Sequence, residues 1–147
     1  MDPVLKEYFK GQHCATICCS QPNQHPYCFS CFYVFDALHQ RLIFKSSGNT
    51  YHEQLMKEFP NVAGSVLPDT LSKLRIRGLQ FEGQVHDTAD KAVMKEAYSC
   101  YHTSNPAALA FPGAIWVIDL LKVKFTDNKL GFGKKISWCR EAKPIRS

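Results

Sequence analysis

A chain of 147 residues and 16.7 kDa can bury one hydrophobic core and is short for two, so we expect a single domain over residues 1–147. Hydrophobic residues make up 45% of the chain and charged residues 21%, which excludes a disordered or low-complexity protein. The net charge is +5, and the positive excess lies after residue 121, where lysines alternate with apolar residues. This alternation is typical of a solvent-facing strand, so nucleic-acid binding is not expected, while a small anionic ligand fits the charge.

Targeting and cysteine patterns narrow the cellular setting. No basic segment followed by an apolar stretch opens the chain, and its apolar runs, such as 114–118, are much shorter than a membrane span. We therefore expect a cytoplasmic protein with no membrane partner. The seven cysteines are odd in number and several lie in strand-like segments, which predicts reduced and mostly packed thiols.

The predicted elements begin with a short helix over 3–10 and a strand over 13–19. An aromatic, β-prone segment over 26–35 is followed by RLIFK at 41–45, and together they predict a hairpin. Thr50 and Glu53 have the spacing of a capping box, so a helix should begin at residue 51 and end before Pro60. A short strand over 61–67 follows.

The segment LRIRGLQFEGQV, 74–85, changes the phase of its apolar face. Leu74 and Ile76 occupy even positions, whereas Leu79 and the apolar residues after it occupy odd ones. A β-bulge at Gly78 would restore one continuous inward face and would bend the strand as a barrel requires.

Two further patterns complete the fold prediction. An amphipathic helix is predicted over 88–102, and two strands are predicted over 114–138 around a turn at 127–128. The first of these strands is apolar on both faces at its start, so it should be buried on both sides. Six or seven meandering strands with two main helices predict a mainly β (α+β) barrel with the helices packed outside. A doubly apolar strand in so small a barrel also needs a covering surface, which predicts a homodimer.

The segment KSSGNTYHEQL, 45–55, is the candidate binding site. Hydroxyl side chains and a flexible glycine at a helix N-terminus can hold a phosphate, because amide donors and the positive end of the helix dipole point outward there. The same residues can equally form an ordinary helix cap, and both interpretations stay open on local sequence. Arg75 and Arg77 lie two apart on a predicted strand and so should share one face.

Other chemistry-bearing patterns favour structural roles. Cys28 and Cys31 form a C-x-x-C pair, but within a strand their side chains would point to opposite faces and could not share a metal. No H-E-x-x-H, P-loop or G-x-S-x-G pattern occurs, so hydrolase chemistry is not expected. Core or interface packing is the favoured role of Trp116 and Trp138, ahead of contact with a flavin ring.

A resemblance to a known family covers nearly the whole chain. It is carried by SS-x-x-T-x-H at the helix start, the VAG strand at 62–64, R-x-R-G-x-Q-F-x-G at 75–83 and the closing KFTDNKLGFGKKISW at 124–138. In this order the segments resemble the YhbP-type bacterial proteins of the pyridoxamine phosphate oxidase-like, FMN-binding split-barrel superfamily.

The resemblance implies a split-barrel homodimer that binds FMN in a cleft between subunits, and flavin-dependent oxidoreductase chemistry. Thr50 matches the phosphate-binding hydroxyl of the superfamily, His52 stands where a lysine is usual, and Arg75 or Arg77 matches an arginine. Histidine has an unperturbed pKa near ~6.5, so phosphate affinity should depend on pH. The alternative is a cofactor-free dimeric binding or regulatory protein of the same fold. The candidate cofactor-binding residues are Ser46, Ser47, Thr50, His52, Arg75 and Arg77.

Overall fold

The computed structural model describes residues 1–130 and 135–142. Within these residues, seven strands and three α-helices follow one another. The helices are α1 (Pro3–Gly11), α2 (Tyr51–Glu58) and α3 (Lys91–Ser104). Two short 3-10 helices span Pro106–Ala110 and Asn128–Leu130. The strands are β1 (Cys14–Ser20), β2 (Pro26–Asp36), β3 (Arg41–Ser46), β4 (Asn61–Val66), β5 (Arg77–Val85), β6 (Ala114–Asp127) and β7 (Lys135–Cys139).

The strands form one antiparallel sheet in the order β3-β2-β1-β4-β5-β6-β7, and an additional β3–β6 pairing closes six of them into a barrel. The 14-residue strand β6 makes this possible because one of its edges serves two partners. Residues 114–119 of that edge pair with β3, and residues 122–126 pair with β7. The mainly β barrel predicted from the sequence is therefore confirmed, with β7 outside the closed ring.

Strand β6 is buried on both faces at its start, as its sequence predicts. One face points into the barrel with Trp116 and Ile118, and the other carries Ile115 and Val117. The second pair packs in a separate apolar cluster with residues of α3, including Ala97. The surface that covers this strand therefore belongs to the same chain, so double burial of β6 does not itself require a second subunit.

The predicted bulge at Gly78 is wrong. Gly78 pairs in regular register with Thr126, and the register shift of this strand pair lies further on, between Glu82 and Gly83. Leu74 and Ile76 precede β5 and are 93% and 62% exposed. The change of apolar phase therefore marks the start of the strand. Residues that precede the strand need not continue its alternation of inward and outward side chains.

Helix boundaries follow local capping. Helix α3 begins three residues later than predicted because Asp90 is its N-cap and accepts a hydrogen bond from the Val93 amide. Helix α1 is held against the barrel by the Tyr8 hydroxyl, which donates to the Val66 carbonyl at 2.9 Å.

In the described ranges, 1–130 and 135–142, we find no helix with the length and apolar character needed to cross a membrane.

Candidate functional site

The turn from β3 into α2 builds the candidate site. Gly48 and Asn49 have φ angles of 90° and 53°, and this left-handed turn redirects the chain at the end of β3. Thr50 is then the N-cap of α2, with its hydroxyl accepting from the Glu53 amide at 3.3 Å. The Glu53 carboxylate accepts from the Thr50 amide at 2.8 Å, so the predicted capping box is confirmed.

Three of the predicted site residues form one hydrogen-bonded cluster. The buried Ser46 places its Oγ 3.0 Å from His52 Nε2 and 3.4 Å from Thr50 Oγ1. Ser46 is the last residue of β3, while Thr50 and His52 begin α2, so the turn itself brings the three side chains together. We call Ser46, Thr50 and His52 the hydroxyl–histidine cluster.

A groove of about 300 Å³ opens beside this cluster. The His52 ring stacks on Phe29, with centroids 3.8 Å apart and planes inclined by 9°. Ser47, the fourth predicted residue of this segment, also lines the groove. Four aromatic residues from β2, β3 and α3 also line it, namely Phe29, Phe32, Phe44 and Tyr101.

The cluster is electrically neutral in the absence of a ligand. Burial lowers the pKa of His52, and the nearby Glu53 carboxylate opposes this effect without overcoming it. Since an unperturbed histidine has a pKa near ~6.5, His52 is uncharged at neutral pH. The positive charge that a lysine would bring to this position is therefore missing.

Glu53 is a site residue whose full role the sequence does not reveal. Its buried carboxylate accepts from the Trp116 indole at 2.9 Å as well as from Thr50. Burial acts against ionisation, but the hydrogen bonds from Thr50, Trp116 and Ser46 outweigh it and lower the pKa of Glu53. An ionised carboxylate therefore occupies the N-terminus of α2 and offsets the helix dipole there.

Lys45 begins the candidate segment but is not among its predicted binding residues. It lines the groove, and its Nζ donates to the Ala108 carbonyl at 2.9 Å and lies 3.1 Å from His102 Nε2. His102 Nδ1 lies 2.9 Å from the Tyr98 carbonyl, which fixes the proton on Nδ1 and leaves Nε2 to accept from the lysine. Strand alternation alone would place Lys45 on the opposite face from Ser46, so no local signal indicates it.

Arg75 and Arg77 both approach Asp127, at the other end of β6, but Arg75 precedes β5, so the prediction that the two share one face of a strand is wrong. Arg77 pairs in register with Asp127, whereas Ser46 pairs with Ala114, so the two sites are separated by roughly 40 Å along the strand. Arg75 donates to Asp127 at 3.3 Å, and Arg77 Nε lies 3.1 Å from the same carboxylate without hydrogen-bond alignment. Within one chain, the arginines and the hydroxyl–histidine cluster do not form one site.

The two tryptophans occupy different environments. Trp116 is buried in the barrel core, which agrees with the packing role predicted for it. Trp138 lies partly exposed on β7, with the Arg140 guanidinium 5.7 Å from its ring centroid. It borders an open groove of about 570 Å³ on the outer face of the sheet. Within residues 1–130 and 135–142, no three His, Cys, Asp or Glu side chains are placed to hold a metal ion.

Solved structures with the same fold come from several bacteria. A heme-binding protein from Mycobacterium smegmatis gives a TM-score of 0.70 at 13% identity, over 88% of this chain and 53% of that one. A FAD-binding protein from Mesorhizobium loti gives 0.63 at 17% identity, over 86% and 95%. A pyridoxamine 5'-phosphate oxidase-related, FMN-binding protein from Nostoc punctiforme gives 0.65 at 10% identity, over 88% and 87%. The fold is thus the pyridoxamine phosphate oxidase-like split barrel.

Sequence relatives define the family. No family model matches the chain. A UPF0306 protein from Yersinia pseudotuberculosis serotype O:3 is 34% identical over 137 residues, which cover 93% of this chain and 92% of the relative. A UPF0306 protein from Yersinia pestis bv. Antiqua is 33% identical over the same shares. The chain belongs to the UPF0306 family.

Proposed function

We propose that this protein binds FMN or a related phosphate-bearing ligand in the groove beside the hydroxyl–histidine cluster. The observation that carries the proposal is the position of Ser46 and His52, which lie within hydrogen-bond distance of each other at one side of a groove with aromatic residues in its wall. Hydroxyl donors suit a phosphate, and aromatic side chains suit a planar ring. The names of the structural neighbours, which include FMN-, FAD- and heme-binding proteins, support a cofactor role for this fold.

The charges of Glu53 and His52 support different roles for the site residues in phosphate binding. Because Glu53 offsets the helix dipole and accepts the hydrogen of the Ser46 hydroxyl, the phosphate contact falls chiefly to the Ser47 hydroxyl at the groove surface and to His52 once it is protonated. An approaching phosphate raises the pKa of His52 and favours its protonation. Binding should therefore take up a proton, and affinity should rise as pH falls.

The groove is small for a ligand pocket. Its volume of about 300 Å³ is at the lower end of the roughly 300–1,000 Å³ that ligand pockets occupy. We propose that a second copy of the chain supplies the missing wall, in a homodimer. An arginine contribution to phosphate binding would then require Arg75 or Arg77 of that copy, because neither is near the cluster in its own chain.

A bound flavin would supply electron or hydride transfer, which defines the proposed oxidoreductase chemistry. The residues of this chain would bind and orient the flavin. Phe29 holds His52 by stacking, Lys45 lines the groove wall, and Glu53 fixes the helix start.

The decisive experiment compares FMN with riboflavin, which differ only in the phosphate. Titration of each into wild type, Ser47→Ala and His52→Ala should show tighter binding of FMN by wild type. Loss of one charge-assisted hydrogen bond removes on the order of 1.5 to 3 kcal/mol, so Ser47→Ala should weaken FMN binding roughly ten- to hundredfold. Ser99→Ala, an exposed serine on α3, is the matched control and should bind as wild type does.

The pH dependence of binding distinguishes protonation of His52 from protonation of the FMN phosphate. The FMN phosphate itself titrates near ~6, so affinity is measured at pH 6 and pH 8 in wild type and in His52→Ala. A preference for FMN that grows at pH 6 in wild type and not in His52→Ala assigns the effect to His52. Weaker FMN binding by Arg77→Ala would support an arginine from the second copy. Equal affinity for both flavins, or none for either, contradicts the proposal.

The second candidate function is a cofactor-free binding or regulatory dimer. The observation that favours it is the satisfied cap, because Glu53 already occupies the helix N-terminus and His52 is uncharged. Purified protein without the visible absorbance of a flavin, together with failure to bind added FMN, would support this candidate over the first.

A further inference from the structure

Two cysteines lie side by side on the outer face of the barrel, and neither is among the residues that line the candidate groove. Cys18 of β1 and Cys28 of β2 are register partners, and their sulfur atoms are 2.9 Å apart. Both are free thiols, with Cys28 exposed and Cys18 half-buried. The sequence interpretation missed this pair because it compared cysteines along each strand, where Cys28 and Cys31 do point to opposite faces.

The backbone around this pair suits a cross-strand disulfide. The Gln21 amide donates to the His25 carbonyl and the Tyr33 amide donates to the His13 carbonyl, which marks these two pairs as hydrogen-bonded positions. Hydrogen-bonded pairs recur at every second residue of β1, so counting from Gln21 reaches Cys19 and then Ile17. The Cys18–Cys28 pair lies between these two positions and is therefore a non-hydrogen-bonded pair. Partners there have Cα atoms about 4.5 Å apart, inside the range of about 4.4 to 6.8 Å found in disulfides.

We propose that Cys18 and Cys28 form a reversible dithiol–disulfide pair that reacts with low-molecular-weight disulfides of the glutathione type. In the first step, the Cys28 thiolate attacks one sulfur of the small disulfide, and the other half leaves as a thiolate. In the second step, Cys18 attacks Cys28 Sγ, loses its proton to the leaving group and releases the second half as a thiol. The first leaving thiolate takes up from solvent the proton that Cys28 lost, so two protein thiols are oxidised and one small disulfide is reduced to two thiols.

The order of the two steps follows from the environments of the sulfurs. The hydrogen bond with Cys28, followed by burial, raises the pKa of Cys18 to about 11. Exposed Cys28 is therefore the attacking thiol, and Cys18 is the resolving thiol. Burial raises the pKa of Cys19 to about 11 and that of Cys31 to about 12, which makes both inward-facing thiols poor competitors.

The test equilibrates reduced, folded protein with mixtures of reduced and oxidised glutathione, then blocks free thiols with iodoacetamide. Intact mass should show two fewer alkylated cysteines as the oxidised fraction rises. Trypsin leaves residues 11–41 in one peptide, since no lysine or arginine lies between Gly11 and Arg41. Chymotrypsin cleaves after Tyr27 and Phe29, so it isolates Cys28 and allows the link to Cys18 to be sequenced by fragmentation.

Single variants separate the two steps. Cys18→Ser removes the resolving thiol and should accumulate a mixed disulfide between glutathione and Cys28. Cys28→Ser should abolish the internal link. Cys14→Ser is the matched control, because Cys14 is also exposed on β1 but faces Phe32 across the hairpin, and its oxidation should match wild type.

Three results would overturn the proposal. The first is wild-type protein that keeps all seven thiols alkylatable at every glutathione ratio. The second is a link that maps to another pair, such as Cys18 with Cys139, which borders the same outer groove. The third is loss of the link in Cys14→Ser. Because wild type is mapped directly, the conclusion does not depend on the folding of any variant.

Discussion

Glu53 connects the local sequence signal to the barrel core. Its spacing from Thr50 predicts the capping box, and the structure confirms that box. The same carboxylate also accepts the Trp116 indole hydrogen, 63 positions along the chain. A buried polar side chain on β6 thereby finds its partner on α2, and the helix start is fixed against the barrel.

The first prediction concerns the ionised state of this carboxylate. Glu53→Gln should lower the free energy of unfolding at pH 7 by about 1 to 3 kcal/mol, because the amide cannot accept all of the same hydrogen bonds. The pKa of Glu53 is lowered in the folded state, so its stabilisation is present above the unfolded pKa of ~4.3 and is lost as pH falls through the folded pKa.

Urea denaturation at pH 7 and at pH 3 measures this effect. The difference between wild type and Glu53→Gln should be smaller at the lower pH. Glu58→Gln, at the C-terminus of the same helix and exposed, is the control and should leave stability nearly unchanged. A difference between wild type and Glu53→Gln that is the same at both pH values would show that charge has no part in the role of Glu53.

The second prediction concerns the glycines of the β4–β5 pair. A Cβ atom at Gly64 would lie 2.4 Å from the Phe81 ring and 2.5 Å from the Thr16 carbonyl, whereas one at Gly78 would meet only Leu67 at 3.5 Å. Gly64→Ala should therefore destabilise the protein by about 1 to 3 kcal/mol through overpacking, and Gly78→Ala should be near neutral. Thermal melting of the two variants checks the contrast. A larger loss for Gly78→Ala would contradict the regular register.

The third prediction concerns His86, which joins three elements. Its Nδ1 lies 2.6 Å from Asp119 of β6 and its Nε2 lies 2.9 Å from Asp90, the N-cap of α3. Both nitrogens can donate to carboxylates only in the imidazolium form. Burial and the neighbouring Arg41 act against this charge, but the two hydrogen bonds and the Asp119 charge outweigh them and raise the pKa of His86.

A raised folded pKa sets the direction of the pH effect. The stabilisation by protonated His86 is fully present below the unfolded pKa of ~6.5 and is lost as pH rises through the folded pKa. His86→Gln should therefore cost about 1.5 to 3 kcal/mol at pH 5.5 and less at pH 9, by urea denaturation. His25→Gln, an exposed histidine in the β1–β2 turn, is the control. An equal cost of His86→Gln at both pH values would contradict the charged role.

Local patterns predict much of the fold, and long-range pairing accounts for what they miss. The β2–β3 hairpin, the capped α2 and the doubly apolar start of β6 each leave a signal within a few residues, so their sequences suffice. The Cys18–Cys28 contact depends on the register of two strands. The Asp127 partner of Arg75 and Arg77 depends on the β5–β6 register. Sequence spacing alone carries no information about either.

At the scale of the whole molecule, exposed apolar residues cluster on one side of the barrel. Phe32, Leu67 and Leu71 border one surface groove of about 480 Å³, and Phe32 is 73% exposed. Phe32 also lines the candidate ligand groove, so the two surfaces are continuous. Contiguous exposed apolar side chains mark interaction surfaces more often than isolated ones do. This continuity supports a second copy that completes the ligand groove.

The last prediction is that the protein is a homodimer through this surface. Wild type at micromolar concentration should sediment with twice the chain mass of 16.7 kDa. Leu71→Glu places a charge in the apolar surface and should weaken association at least about tenfold, because an unpaired charge would have to be desolvated. Leu38→Glu is the control, since Leu38 is exposed in the β2–β3 turn and should leave the dimer intact. A wild-type monomer would contradict the prediction and would leave the ligand groove without its second wall.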